Sequence, residues 1–204
     1  MYNNKIKYIG CDDATLDLFE SQYPLPDGMC YNSYLLHGER VAVMDSVDPR
    51  KTSEWLQNIK ASNCTPTYLI VQHMEPDHAG NIANLLAKYP EIKTVASAKA
   101  IQMMPQFFED TCFEGKTIAV KEGETLNLGA HTLQFFMAPM VHWPEVMVTY
   151  DQLDKILFSA DGFGKFGALA HEEDWACEAR RYYFNICGKY GAQVQALLKK
   201  AATL

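Results

Sequence analysis

A short run of β-forming residues, Thr67-Tyr-Leu-Ile-Val71, delivers the chain straight into His73-Met-Glu75-Pro-Asp77-His78. No other stretch limits the possible folds as strongly. His73 and Glu75 are separated by one residue, so on extended backbone their side chains project to the same side. Pro76 keeps Glu75 extended, because the residue before a proline is pushed out of the helical region. Asp77 and His78 then fall where the chain turns into a helix, for Ile82, Leu85 and Leu86 follow at i, i+3, i+4. Singly, Asp77 could be a helix cap, His73 a hydrogen-bonded core residue and Glu75 a solvated loop carboxylate. Four potential ligands within six residues, at the mouth of a buried strand, read together as a metal site.

The rest of the chain supplies strands and helices around this point. Tyr31–Leu36 and Val41–Asp45 flank His37-Gly-Glu-Arg40 and predict a hairpin. A helix is expected after Asp48-Pro49, with Trp55, Leu56 and Ile59 along one face. Further on come a helix from Ala98 to Phe108 and strands near Thr117–Val120, His131–Met137, Val146–Tyr150 and Ile156–Ser159. Helical pattern resumes from Glu172 and is interrupted at Gly188. His131, after Gly129-Ala130, reads as a surface or edge residue. Such an order suggests packed sheets with helices outside.

Composition narrows the function. At 204 residues the chain suits one domain, residues 1–204, with a sizeable core, and 48% hydrophobic with 21% charged residues is an ordinary globular balance. A net charge of -7 argues against a nucleic-acid-binding face, which needs clustered Lys and Arg. No apolar run approaches membrane-spanning length, and the start, MYNNKIKYIG, has no signal-peptide apolar region. Six cysteines without a C-x-x-C pair suggest free thiols in a reducing cytosol. The expected location is cytoplasmic.

The H-x-E-x-D-H run is followed at long range by His142 in Ala138-Pro-Met-Val-His-Trp-Pro144 and by Asp161 in Phe158-Ser-Ala-Asp-Gly-Phe-Gly164. With Tyr31-Asn-Ser-Tyr34, Phe163–Leu169 and Glu178–Tyr183, these stretches resemble the metallo-β-lactamase-like domain of flavodiiron proteins across nearly the whole chain. The resemblance implies an α/β fold, the metallo-β-lactamase-like αββα sandwich. It puts His73, Glu75 and His142 on one iron, Asp77 on a second with His78 as an optional ligand, and Asp161 between the two. His142 alone could be a polar residue stacked near Trp143, and Asp161 alone a turn aspartate before Gly162. His171 matches no ligand of the family pattern.

Hydrolytic relatives of the fold typically carry H-x-H-x-D-H and bind zinc. Glu75 replaces the second histidine with a hard anionic oxygen, which favours iron or manganese. Glu75, Asp77, Asp161 and one bridging hydroxide would also offset the charge of two divalent ions. The resemblance therefore implies two iron ions and reduction of dioxygen to water or of nitric oxide to nitrous oxide. Electrons would come from FMN, on a flavodoxin-like domain of the full-length parent, supplied by a rubredoxin-like or flavoprotein donor. A homodimer of that parent is also implied. The family's last histidine ligand and its FMN domain have no counterpart before Leu204, so the chain reads as a sandwich missing its C-terminal elements. The alternatives are a standalone diiron oxygen-binding or sensing protein, or a metal-dependent hydrolase, which Glu75 disfavours.

Overall fold

Alternation along the short strands decides which residues face which layer. In Tyr34–Leu36 and Ala42–Met44, Leu36, Ala42 and Met44 point to one side while Leu35 and Val43 point to the other, and all five are buried. A sheet buried on both faces must be covered twice. A computed structural model, which describes residues 5–169 and 174–204, shows both covers.

The first sheet has six strands in the order Ile6–Tyr8, Tyr34–Leu36, Ala42–Met44, Tyr68–Val71, Lys93–Ser97, Thr117–Val120. Its last three pairings are parallel, with Met44 opposite Ile70 and Ile70 opposite Val95. Helices Thr52–Lys60, Ile82–Lys88 and Ala98–Phe107 connect those strands and pack Trp55, Ile59, Leu85 and Met104 on one face, against Val43, Leu69 and Ala96. The other face meets an antiparallel sheet, Thr125–Asn127, Thr132–Met137, Met147–Asp151 and Ile156–Phe158. Leu36, Met44 and Ile70 interlock there with Leu133, Phe135 and Met147. Helix Gly191–Ala201 covers the outer face of the second sheet, where Leu197 packs with Val141, Val146 and Val148. The layers are helix, sheet, sheet, helix. Among the described residues no helix is long and apolar enough to cross a membrane, and the six cysteines are free thiols.

The helix after Pro49 and the four strands of the second half stand within a residue or two of their expected ends, and the hairpin is present, though its first strand starts at Tyr34 and Tyr31 ends a separate strand, Met29–Tyr31. Three readings need correction or extension. The helix after the motif is two pieces, Pro76–Ala79 and Ile82–Lys88. Gly80 sits at the break: a Cβ there would lie 2.5 Å from both the Pro49 ring and the Pro76 carbonyl oxygen. Strand Lys93–Ser97, central to the first sheet, escaped the sequence pattern. His131 is not a surface or edge residue: it is fully buried, and its Nδ1 lies 2.9 Å from the equally buried Asp151. The carboxylate across the hairpin gives the imidazole a partner that local sequence does not reveal.

Candidate metal centre

Strand Tyr68–Val71 ends at the rim where the two sheets meet, and Gln72 begins the turn. Its backbone N donates to Asp45 Oδ1 at 2.7 Å and its carbonyl accepts from Met147 N at 3.0 Å, tying the two sheets together. Glu75 is extended, with ψ of 144°, as Pro76 requires, and Pro76 starts the short helix that carries Asp77 and His78. The carbonyl of His78 accepts from both Ser46 N and Ser46 Oγ, which fixes that helix against the end of strand Ala42–Met44. His142 sits in the turn between the second and third strands of the antiparallel sheet, and Asp161 in the turn after its last strand.

These turns bring all six residues singled out from the sequence into one buried cluster. One ligand atom from each of His73, Glu75, His142 and Asp161 lies within 4.8 Å of all the others, and the same holds for Asp77, His78 and Asp161. Asp161 is common to both groups, and its oxygens divide between them. Oδ1 is 2.9 Å from His78 Nε2, while Oδ2 is 3.1 Å from His73 Nε2 and 3.3 Å from His142 Nε2. His171 lies outside the described residues.

The electrostatics are those of mutually opposed charges in a dry place. Burial works against an imidazolium at His73, yet Asp161, Glu145 and Glu75 hold its pKa well above the ordinary value. At His142 burial is likewise outweighed, by Asp161 and Glu75, and the pKa rises to about 9. Burial pushes Glu75 up, but His142 and His73 prevail and bring it to about 2. Asp77 goes the other way: burial, with Glu75 and Asp161 nearby, raises it to about 7.

The residues present fit two cations. His73 Nε2, His142 Nε2 and Glu75 Oε2 point at one another across 2.9 to 3.4 Å. Three electron-rich atoms tolerate that only with positive charge between them, whether protons or a metal ion. Asp77 Oδ1 is buried with no hydrogen-bond partner, an arrangement that ligation would satisfy. The donors are imidazole nitrogen and carboxylate oxygen, without sulfur, which suits iron or manganese.

Sequence reasoning missed two carboxylates behind the histidines. Glu145 Oε1 is 2.8 Å from His73 Nδ1, and Asp45 Oδ2 is 3.3 Å from His78 Nδ1. A weak signal existed for each: Asp45 ends a buried strand, and Glu145 stands three residues after His142.

A four-layer αββα sandwich with a histidine–carboxylate cluster at its rim defines the metallo-β-lactamase-like class of proteins. The family model described as ODP family beta lactamase matches residues 29–188, and the chain belongs to that family. It is 39% identical over 155 residues to diflavin flavoprotein A 1 of Synechocystis, covering 74% of this chain and 26% of that protein. It is 31% identical to the anaerobic nitric oxide reductase flavorubredoxin of Aliivibrio salmonicida, covering 97% of this chain and 41% of the relative. Among solved structures, the rubredoxin oxygen:oxidoreductase of Desulfovibrio gigas superposes with a TM-score of 0.92 at 29% identity, over 100% of this chain and 52% of that one. The flavodiiron protein of Giardia intestinalis gives 0.90 at 29% identity, over 98% and 50%. The chain thus spans less than half the length of these two curated relatives.

Proposed function

We propose that this chain is the two-iron domain of a flavodiiron oxidoreductase that reduces dioxygen or nitric oxide with electrons drawn from a flavin. The observation that carries the reading is Asp161, whose two oxygens face two separate donor groups, His73, Glu75 and His142 on one side and Asp77 and His78 on the other. Two iron ions, when bound, would supply electrons and open coordination positions for a diatomic molecule. His73, Glu75 and His142 would hold one ion, Asp77 and His78 the other, and Asp161 both.

The remaining residues shape what reaches the ions. The Trp143 ring stands edge-on to His73, with centroids 5.2 Å apart, and screens that side from water. A cavity of ≈ 160 Å³ lies against Asp77, His78 and Asp161, lined also by Tyr31 and Tyr182. That is room for a diatomic and a few waters, at about 30 Å³ each. Burial, with Asp161 and Asp77 nearby, keeps the Tyr182 phenol protonated, a neutral hydrogen-bond donor at the cavity wall. The reading also calls for FMN as the electron source, a rubredoxin-like or flavoprotein donor, and a homodimer as the assembly. Free thiols suit a cytoplasmic setting.

The test is anaerobic reconstitution with Fe(II), followed by O2 or NO consumption under a reduced flavoprotein donor. Expected is consumption that depends on both iron and donor. Stoichiometric preference for zinc in direct competition with iron, with hydrolysis of thioesters or lactams, would establish the hydrolase reading instead.

A further inference from the structure

The imidazole of His73 is fully buried, and each of its edges has a different neighbour. Nε2 faces Glu75, His142 and Asp161. Nδ1 faces Glu145 Oε1 at 2.8 Å, and Met74 N lies 2.9 Å from the same oxygen. Met74 N is also 3.0 Å from Nδ1 itself. A carboxylate can only accept, so Nδ1 must carry the proton. A nitrogen that donates in this plane has no lone pair left for the amide. Both N–H groups therefore converge on Oε1, which fixes the tautomer and leaves the Nε2 lone pair for the cluster.

Glu145 is itself held firmly. Its carbonyl accepts from Ser97 Oγ at 2.7 Å, and its residue is buried to 1% exposure. Oε2 is buried with no hydrogen-bond partner. An anionic group half-satisfied in the interior is expensive to keep for packing alone, since a neutral amide could accept the same two bonds. His78 has a looser counterpart. Its Nδ1 is 3.3 Å from Asp45 Oδ2, an oxygen that also takes Gln72 Nε2 at 3.1 Å.

We propose that Glu145 is a positioning residue for His73, whose charge makes Nε2 a stronger donor and makes the His73–Glu75–His142–Asp161 position the tighter of the two metal positions. This rests on the two-metal reading of the cluster. An anionic acceptor behind an imidazole fixes its orientation and raises its basicity, and loss of such a partner typically weakens metal binding ~10–100-fold.

The experiment uses the full chain, purified metal-free, titrated with Co(II) and followed by its visible absorption. Glu145→Gln keeps an acceptor oxygen for both N–H groups and removes only the charge. Expected is at least ~10-fold weaker binding of the first Co(II) equivalent, with an altered absorption band. A second variant, Ile59→Val, destabilises the fold at a buried position in helix Thr52–Lys60. It should lower the melting temperature and leave Co(II) affinity within about twofold, since it touches no ligand. Glu145→Gln binding within twofold of the parent overturns the proposal, as does equal weakening in both variants, which would mark a stability effect. A parent chain that binds no Co(II) at all removes the two-metal reading itself, an outcome distinct from both.

Discussion

Loading the four-ligand position should expel protons, and the structure says about how many. Without metal, His142 keeps its imidazolium up to about pH 9, because Asp161 and Glu75 outweigh its burial. His73 is held well above its ordinary value by its own ring of carboxylates. Glu75, brought to about 2, and Asp161, held well below the usual range mainly against burial by His78 and His142, are already anionic at neutral pH. A metal ion at this position therefore displaces one proton from each histidine. Each proton released changes apparent affinity about tenfold per pH unit, so two give roughly 100-fold, or about 2.7 kcal/mol. Affinity should climb steeply from pH 6 and flatten as His142 loses its proton near pH 9. Without metal, the His142 shift stabilises the fold fully below about pH 6.5, the ordinary imidazole value, and that contribution fades as pH rises through about 9. Calorimetric titration with Mn(II) at pH 7, repeated in buffers of different ionisation enthalpy, reads the proton count directly. Binding that releases no protons, with affinity flat from pH 6 to 8, would refute the reasoning.

Asp161→Ala takes one donor group from four residues to three and the other from three to two, so elemental analysis should find the second metal lost; His78→Ala touches one group only and should cost less. Glu75→His recreates H-x-H-x-D-H and should shift competition between Zn(II) and Fe(II) toward zinc by roughly tenfold or more, measured as bound metal ratio. Trp55→Ala removes a fully buried ring whose Nε1 donates to Ser33 Oγ at 3.0 Å, and should cost about 3–5 kcal/mol in denaturant unfolding of the metal-free chain.

How far the sequence could be read depended on how local each cause was. Glu75 is extended because of the proline beside it, and His73 is buried because an apolar strand leads into it; both causes lie within a few residues. Asp161 and His142 entered through resemblance, since a turn aspartate and a histidine before tryptophan carry no local sign of their shared location. Glu145 and Asp45 stayed hidden because their partners lie 72 and 33 residues away. His131 was misplaced for the same reason, Asp151 being across the hairpin. The N-terminal strands, two or three residues each, are too short for alternation to show. Lys93–Ser97 mixes a half-buried lysine with small and polar residues, and its burial comes from parallel neighbours on both sides.

Ser97 links regions that the layers otherwise separate. Its Oγ accepts from Ala100 N at 3.1 Å, capping helix Ala98–Phe107, and donates to the carbonyl of Glu145 at 2.7 Å. One oxygen thus terminates an outer helix and anchors the turn that bears His142. Fraying of the first helical turn would release that hydroxyl and with it the tether on the turn, so the two segments should open as a single cooperative unit rather than independently. The amides of Ala100, Trp143, Glu145 and Val146 would then exchange with solvent together, and an ion gripping His142 would slow exchange in a helix that offers it no ligand.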